Sequence, residues 1–296
     1  MTNSAEQLLL ARKGSFASSL LTTNDGVRPV PRIVQLRYST QLGFYIVASK
    51  DSSKIKQIQK NPFASIIPGT GQNTIVARVT LRITDDQKII DAAWSDDLLK
   101  VGYTGKDDKR LCVIQVTVNS VRNGFNIIEG TAPDQNTIKK IDKSETIPAT
   151  GPFRTKEIQD IIRQTFTSMK ITNLITSDGL GHDSRVVGFR YMENVGLYIC
   201  THLSDKKVKQ MRQNNKVAIF ITGLQRGEQI VIDASANLSE SPEIKHKIWE
   251  DIIRSFGFTG PNDKELVVGI FTPRRIIRHR SSNREPDVLV AENQDK

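Results

Sequence analysis

Arg32-Ile-Val-Gln-Leu-Arg37-Tyr38 and Arg185-Val-Val-Gly-Phe-Arg190-Tyr191 are two versions of one segment, separated by 153 residues (185 − 32). The same shift holds without a gap from Leu21/Leu174 to Ile66/Ile219. Of those 46 pairs, 16 are identical, among them Asp25-Gly26/Asp178-Gly179, Gly43/Gly196, Tyr45/Tyr198, Lys54/Lys207 and Asn61/Asn214. A repeat this long is a domain, because solenoid units run only about 20–50 residues. A chain of 296 residues holds two such domains, each able to bury its own core. The expected division is a first domain at 1–122, a connector at 123–154 and a second domain at 155–296.

Composition narrows the class. Apolar residues make up 38% and charged residues 25%, ordinary values for a globular protein. The longest apolar runs are strand-sized, and the start lacks a signal-peptide pattern, so a cytoplasmic protein without membrane partners is expected. Cys112 and Cys200 fall in apolar runs at unmatched repeat positions and read as buried thiols. The four histidines are scattered without metal-ligand spacing, and no metal is expected. The net charge of +10 raises nucleic-acid binding, but its one dense cluster is Arg274, Arg275, Arg278, Arg280 and Arg284. That cluster reads as a solvated basic tail without a nucleic-acid motif.

Each copy reads as strands first and a helix later. Segments 18–23, 32–38 and 43–49 are β-branched or aromatic, with turn chemistry at Asn24-Asp25-Gly26 and at 39–42. A short helix follows over 52–61, stopped by Asn61-Pro62, and its counterpart spans 205–215. Two further strands precede amphipathic helices at 89–101 and 243–256. Ile90, Trp94, Leu98 and Val101 form one apolar stripe; Ile248, Trp249, Ile252 and Phe256 form the other. Short helices at 4–12 and 155–166 open the two halves. Many short antiparallel strands with few helices predict a mainly β fold of two small closed barrels.

Some shared positions are cationic, which core packing does not explain. Arg32, Arg37 and Lys54 form one set; Arg185, Arg190 and Lys207 form the other. Positions i and i+5 of a strand face opposite sides, so the two arginines of a set need not share a pocket. Lysine at a helix start beside an arginine fork suits an anion, above all a phosphate. Solvated charges on strand edges would account for one copy, and retention in both favours a site.

These residues resemble the pyridoxamine 5′-phosphate oxidase-like, FMN-binding split β-barrels, especially their general-stress-protein branch. The family's Arg-x-Val-x-x-Lys strand appears as 32–37 and 185–190. Its Thr-Ser strand end appears as Ala48-Ser49 and Thr201-His202. Its Ser-Arg-Lys helix start appears as Ser52-Ser53-Lys54 and Asp205-Lys206-Lys207. Its Gln-Val strand appears as Gln229-Ile-Val in the second copy and Thr74-Ile-Val in the first. The resemblance implies two tandem split barrels packed as an intramolecular pseudo-dimer, with further homo-oligomers allowed. It implies FMN phosphate sites at Arg32, Ser49, Ser53 and Lys54, and at Arg185, Thr201, Lys206 and Lys207. Gln229 would complete the site built by the first domain.

The implied function is an FMN-dependent oxidoreductase acting on a small molecule, with its substrate, electron donor and catalytic residues unassigned. The alternative is a non-catalytic flavin- or haem-binding store or sensor. Asp205 puts an acid beside the second phosphate position, so the two sites are expected to differ. The chain also ends without the tryptophan of the family's oxidases, so pyridoxal-phosphate synthesis is not expected.

Overall fold

Alternating apolar and polar residues in Ile75–Thr84 give a strand with one face inward. The same reading applied along the chain yields two sheets. The computed structural model describes residues 4–13, 18–24, 28–69, 75–124, 126–134, 155–178, 181–222, 228–279 and 287–290. The chain divides into two units, Met1–Thr146 with Leu180–Asp183, and Ile147–Gly179 with Ser184–Lys296.

In the first unit, α1 (Ser4–Lys13) precedes β1 (Ser18–Asn24), β2 (Pro29–Gln35), β3 (Arg37–Ser39) and β4 (Gly43–Ser49). Then come α2 (Ser53–Lys60), β5 (Phe63–Pro68), β6 (Ile75–Thr84), α3 (Gln87–Ala93), β7 (Leu111–Asn123) and β8 (Asn126–Glu129). The sheet order is β2-β1-β5-β6-β7-β4-β3, with β8 on β7. Only the buried Leu36 separates β2 from β3, the two end strands of this sheet. Leu21, Phe44, Ile66, Ile114 and Val118 fill the interior. The turn at Asp25-Gly26 lies outside the described residues. Strand β8 falls in the stretch read from sequence as a connector.

The second unit repeats the pattern. Its elements are α4 (Thr155–Thr165), β9 (Lys170–Ser177), β10 (His182–Met192), β11 (Gly196–His202) and α5 (Lys206–Gln213). They continue with β12 (Lys216–Thr222), β13 (Gln229–Ser239), α6 (Pro242–Ile248), β14 (Leu266–His279) and β15 (Asp287–Val290). The order β11-β10-β9-β12-β13-β14-β15, with an added β11–β14 pairing, closes six strands by hydrogen bonds alone. The mainly β expectation, with a split barrel in each half, therefore holds. Among the described residues no helix is long and apolar enough to cross a membrane.

Two expectations are corrected. The amphipathic helices at 89–101 and 243–256 are not continuous. Trp94 (φ −66°, ψ 142°) and Trp249 (φ −66°, ψ 127°) are extended and end α3 and α6. Separate 3-10 helices, Asp96–Val101 and Asp251–Phe256, follow. With three residues per turn the 3.6-residue stripe breaks up, leaving Val101 67%, Ile252 43% and Phe256 48% exposed. The basic cluster is not simply a solvated tail. Arg275 is 6% exposed and donates Nε to Asp233 Oδ2 at 2.6 Å, and Arg278 pairs with Glu228 at 3.3 Å. Both arginines lie in β14, where the charged heads are neutralised by β13 and the residue before it.

Candidate functional site

Arg32 lies opposite Leu21 in the β1–β2 ladder, so Thr23 is its diagonal neighbour on the same face. Helix α2 lays Gln57 over this face, fully buried. Arg32 Nη1 donates to Thr23 Oγ1 and Nη2 to Gln57 Oε1, both at 2.7 Å. Thr23 Oγ1 closes the triangle by donating to Gln57 Oε1 at 2.6 Å. The guanidinium is thus held by two of its faces before any ligand arrives. Among the described residues the buried Gln57 Nε2 donor has no partner.

One turn before Gln57 on α2 stands Lys54, half-buried. Burial, and then the neighbouring Arg32 charge, lower its pKa from 10.5 to about 8. Among the described residues no carboxylate pairs with it. Ser49 ends β4, and its hydroxyl accepts the Asp51 N–H at 3.4 Å. Ser53, exposed, is the first residue of α2, and Ser52 before it makes no side-chain cap bond. The helix start therefore keeps its outward N–H groups beside two cations, an arrangement for an anion.

The second unit repeats the triangle. Arg185 Nη1 donates to Thr176 Oγ1 at 2.8 Å, Nη2 to Gln210 Oε1 at 2.9 Å, and Thr176 to Gln210 at 2.6 Å. The difference lies at the start of α5. Asp205 Oδ2 accepts from Thr201 Oγ1 at 2.6 Å, from His202 N at 3.3 Å and from Lys207 Nζ. Burial pulls the Asp205 carboxyl upward, but the bonds from Lys207 and Thr201 outweigh it and hold its pKa below the usual range. Burial lowers Lys207 as it does Lys54, while Asp205 opposes the shift. Lys206 is exposed at the first position of α5.

Gln229 opens β13 opposite Thr222 and His279, apart from the Arg185 triangle within its own unit. Its first-copy counterpart, Thr74, lies outside the described residues. Arg37 and Arg190 do not join the anion positions. Arg37, buried, bonds Ser95, Asp97 and Gln35 Oε1 (3.0 Å), and Arg190 pairs with Glu250. Each clamps a strand to the start of the following 3-10 helix. Asn61 Oδ1 accepts from Phe63 N at 3.0 Å and Asn214 Oδ1 from Lys216 N at 3.1 Å, so this shared asparagine shapes the exit from each helix. Thr23/Thr176 and Gln57/Gln210 were missed as site residues from sequence, although both pairs are identical and obey the 153-residue shift.

His202 stacks on Phe258 with ring centroids 4.2 Å apart, and its Nε2 lies 3.1 Å from Phe256 O. Burial pushes the Cys200 thiol up to about 12, which removes it as a nucleophile at neutral pH. No cluster of three metal-ligating side chains occurs among the described residues.

The family model for pyridoxamine 5′-phosphate oxidase-like proteins matches residues 11–123. No curated protein sequence matches the chain. Among solved structures, the chain is similar to general stress protein 26 of Bacillus anthracis at 19% identity and a TM-score of 0.38. That match covers 45% of this chain and 98% of the other. It is also similar to a NimC/NimA family protein of Clostridium acetobutylicum at 23% identity and a TM-score of 0.37, covering 46% and 95%. A protein related to general stress protein 26, also from Clostridium acetobutylicum, matches at 14% identity and a TM-score of 0.36, covering 45% and 92%. The first unit's barrel thus matches the model of the pyridoxamine 5′-phosphate oxidase-like family over residues 11–123, and the second unit repeats its strand order.

Proposed function

We propose that the first unit binds FMN and that the protein is an FMN-dependent oxidoreductase of a small molecule. The observation carrying this reading is Lys54: a desolvated cation beside Arg32, with no acid paired to it among the described residues. An anion entering there relieves the repulsion between the two cations and gives Lys54 an acid partner. A phosphate monoester fits the donor set, with Arg32 and Lys54 as cations and Ser53 with the first turn of α2 as neutral donors. Ser49 would stand at the rim. Bound flavin supplies the redox chemistry. The chain's own part is to anchor the phosphate and fix the guanidinium through Thr23 and Gln57. In the second unit Arg185, Thr201, Lys206 and Lys207 are the matching positions, but Asp205 already takes the donors of Thr201 and Lys207, together with the His202 N–H.

The test is flavin titration of the purified chain, followed by absorbance and equilibrium dialysis. One FMN per chain is expected, bleached by a reduced nicotinamide donor. Lys54→Ala should weaken binding at least about tenfold, the loss of one charge-assisted contact of roughly 1.5–3 kcal/mol. A colourless protein that ignores added FMN would refute the reading, and an intense haem band would replace it with the haem-binding alternative.

A further inference from the structure

The second unit contains a cavity of about 350 Å³ that the reading above does not use. Such a volume lies within the range of small-molecule pockets. Its walls are mainly apolar: Met169, Ile171, Val187, Ile253, Phe256 and Phe258. Its charged groups are already matched in pairs, Lys207 with Asp205 and Arg190 with Glu250. The cavity therefore presents no net charge for a ligand to neutralise.

Its phosphate end is closed from within. One carboxylate oxygen of Asp205 collects the Thr201 hydroxyl, the His202 N–H and the Lys207 ammonium. Those are the donors that a phosphate would need, so the aspartate stands where the anion would stand. In the first unit the position of Asp205 is held by Ser52, which bonds its hydroxyl to Ser49 O at 2.7 Å and leaves Lys54 without an acid.

Its ring end, by contrast, is cleared. Gly188 occupies the position of Gln35; the two 3-10 helices align with a shift of 155 residues (251 − 96), which puts Ile252 at the position of Asp97. In the first unit both polar side chains are hydrogen-bonded to Arg37. A Cβ on Gly188 would meet Met169 Sδ at 2.9 Å, so glycine lets that side chain line the wall. The ring of Phe256, half exposed, stands at the mouth.

We propose that the second unit's cavity binds a planar flavin-class ring that carries no phosphate, riboflavin being the simplest case. Asp205 acts there as an internal substitute for the phosphate. The choice of ring rests on the flavin reading of the first unit, but the cavity and its closed anion end do not.

The experiment compares riboflavin with FMN, which share one ring system and differ by the phosphate, in dialysis and fluorescence titrations of the full chain. Riboflavin should bind at one site per chain that Lys54→Ala leaves intact. Phe256→Ser, at a half-exposed position, should weaken that site at least about tenfold. Gly188→Gln should do the same by refilling the ring end. Asp205→Ser, which restores the first unit's residue, should raise FMN binding from one to two per chain. The proposal is overturned if wild type already takes two FMN, if Asp205→Ser adds none, or if riboflavin fails to bind. Riboflavin binding indifferent to both Phe256→Ser and Gly188→Gln would overturn it equally. Failure of the first unit's FMN site is distinguishable, since it would abolish the Lys54-dependent binding and leave the Phe256-dependent binding in place.

Discussion

Lys54 concentrates the chemistry of the first unit in one side chain. Its pKa near 8, against 10.5 in the unfolded chain, means the unfolded state binds more protons between those values. Stability of the ligand-free protein should therefore rise with pH through that window, by on the order of 2–3 kcal/mol. Thermal melts at pH 7 and pH 10 check this, and Lys54→Met should flatten the rise. Anion binding has the opposite trend, because it needs the protonated lysine. FMN affinity should hold steady from about pH 7, where the phosphate is near full ionisation, and fall above about pH 8. A plot of affinity against pH for Lys54→Met should lack that descent. Gln57 gives a second test at this scale. Gln57→Leu removes the acceptor shared by Thr23 and Arg32, leaving the buried Thr23 hydroxyl and the half-buried Arg32 each one bond short. A loss of about 1–3 kcal/mol of stability by denaturant titration, together with weaker FMN binding, is expected.

Each proposed anion position is assembled by a strand pair and a helix start, and each is flanked by an arginine clamp. Arg37 reaches from β3 to Ser95 and Asp97 and thereby fixes where the 3-10 helix begins. That pull, with extended backbone at Trp94, explains why one amphipathic stripe in sequence becomes two short helices. The 3-10 helix then ends at Gly102, whose φ of 95° is hard for any residue with a Cβ. Gly102→Ala meets no neighbouring atom within 4 Å, so its cost is backbone strain alone. A loss of about 1–2 kcal/mol is expected in denaturant titration, with FMN affinity unchanged. The clamps also show why matched charges are not all ligand groups: Arg37 and Arg190 satisfy acids of their own units.

Across the whole molecule, two copies of one barrel have kept the Arg–Thr–Gln triangle and parted at the helix start. A second anion placed about 4 Å from Asp205 would meet repulsion of about 4 kcal/mol at an effective dielectric near 20. That magnitude separates the copies by roughly three orders in affinity for a phosphate. Lys207→Ala should accordingly leave FMN binding unchanged, while Lys54→Ala weakens it at least about tenfold; dialysis of both variants decides. Equal loss in both would contradict the division. Arg275 and Arg278 follow the same logic of internal pairing, since β14 sets Arg275 against Asp233 and Arg278 against Glu228. Truncation beyond Phe271 would remove the second half of β14 and should unfold the unit rather than trim a tail.

The sequence alone determined the duplication, the strand pattern, the paired Arg and Lys positions and the suspect acid at 205. These are legible because repeats and periodicity are local or self-referential: a residue is compared only with its copy. Thr23 and Gln57 were equally repeated, yet nothing local tells a neutral residue that orients an arginine from one that packs a core. Only the tertiary structure brought β1, β2 and α2 together to close that triangle. It also decided that Arg37 serves a helix start, that Arg275 is buried, and that Asp205 takes the donors of its own site. Those outcomes depend on distances between segments far apart in the chain, and on which charge finds its partner first when water is removed.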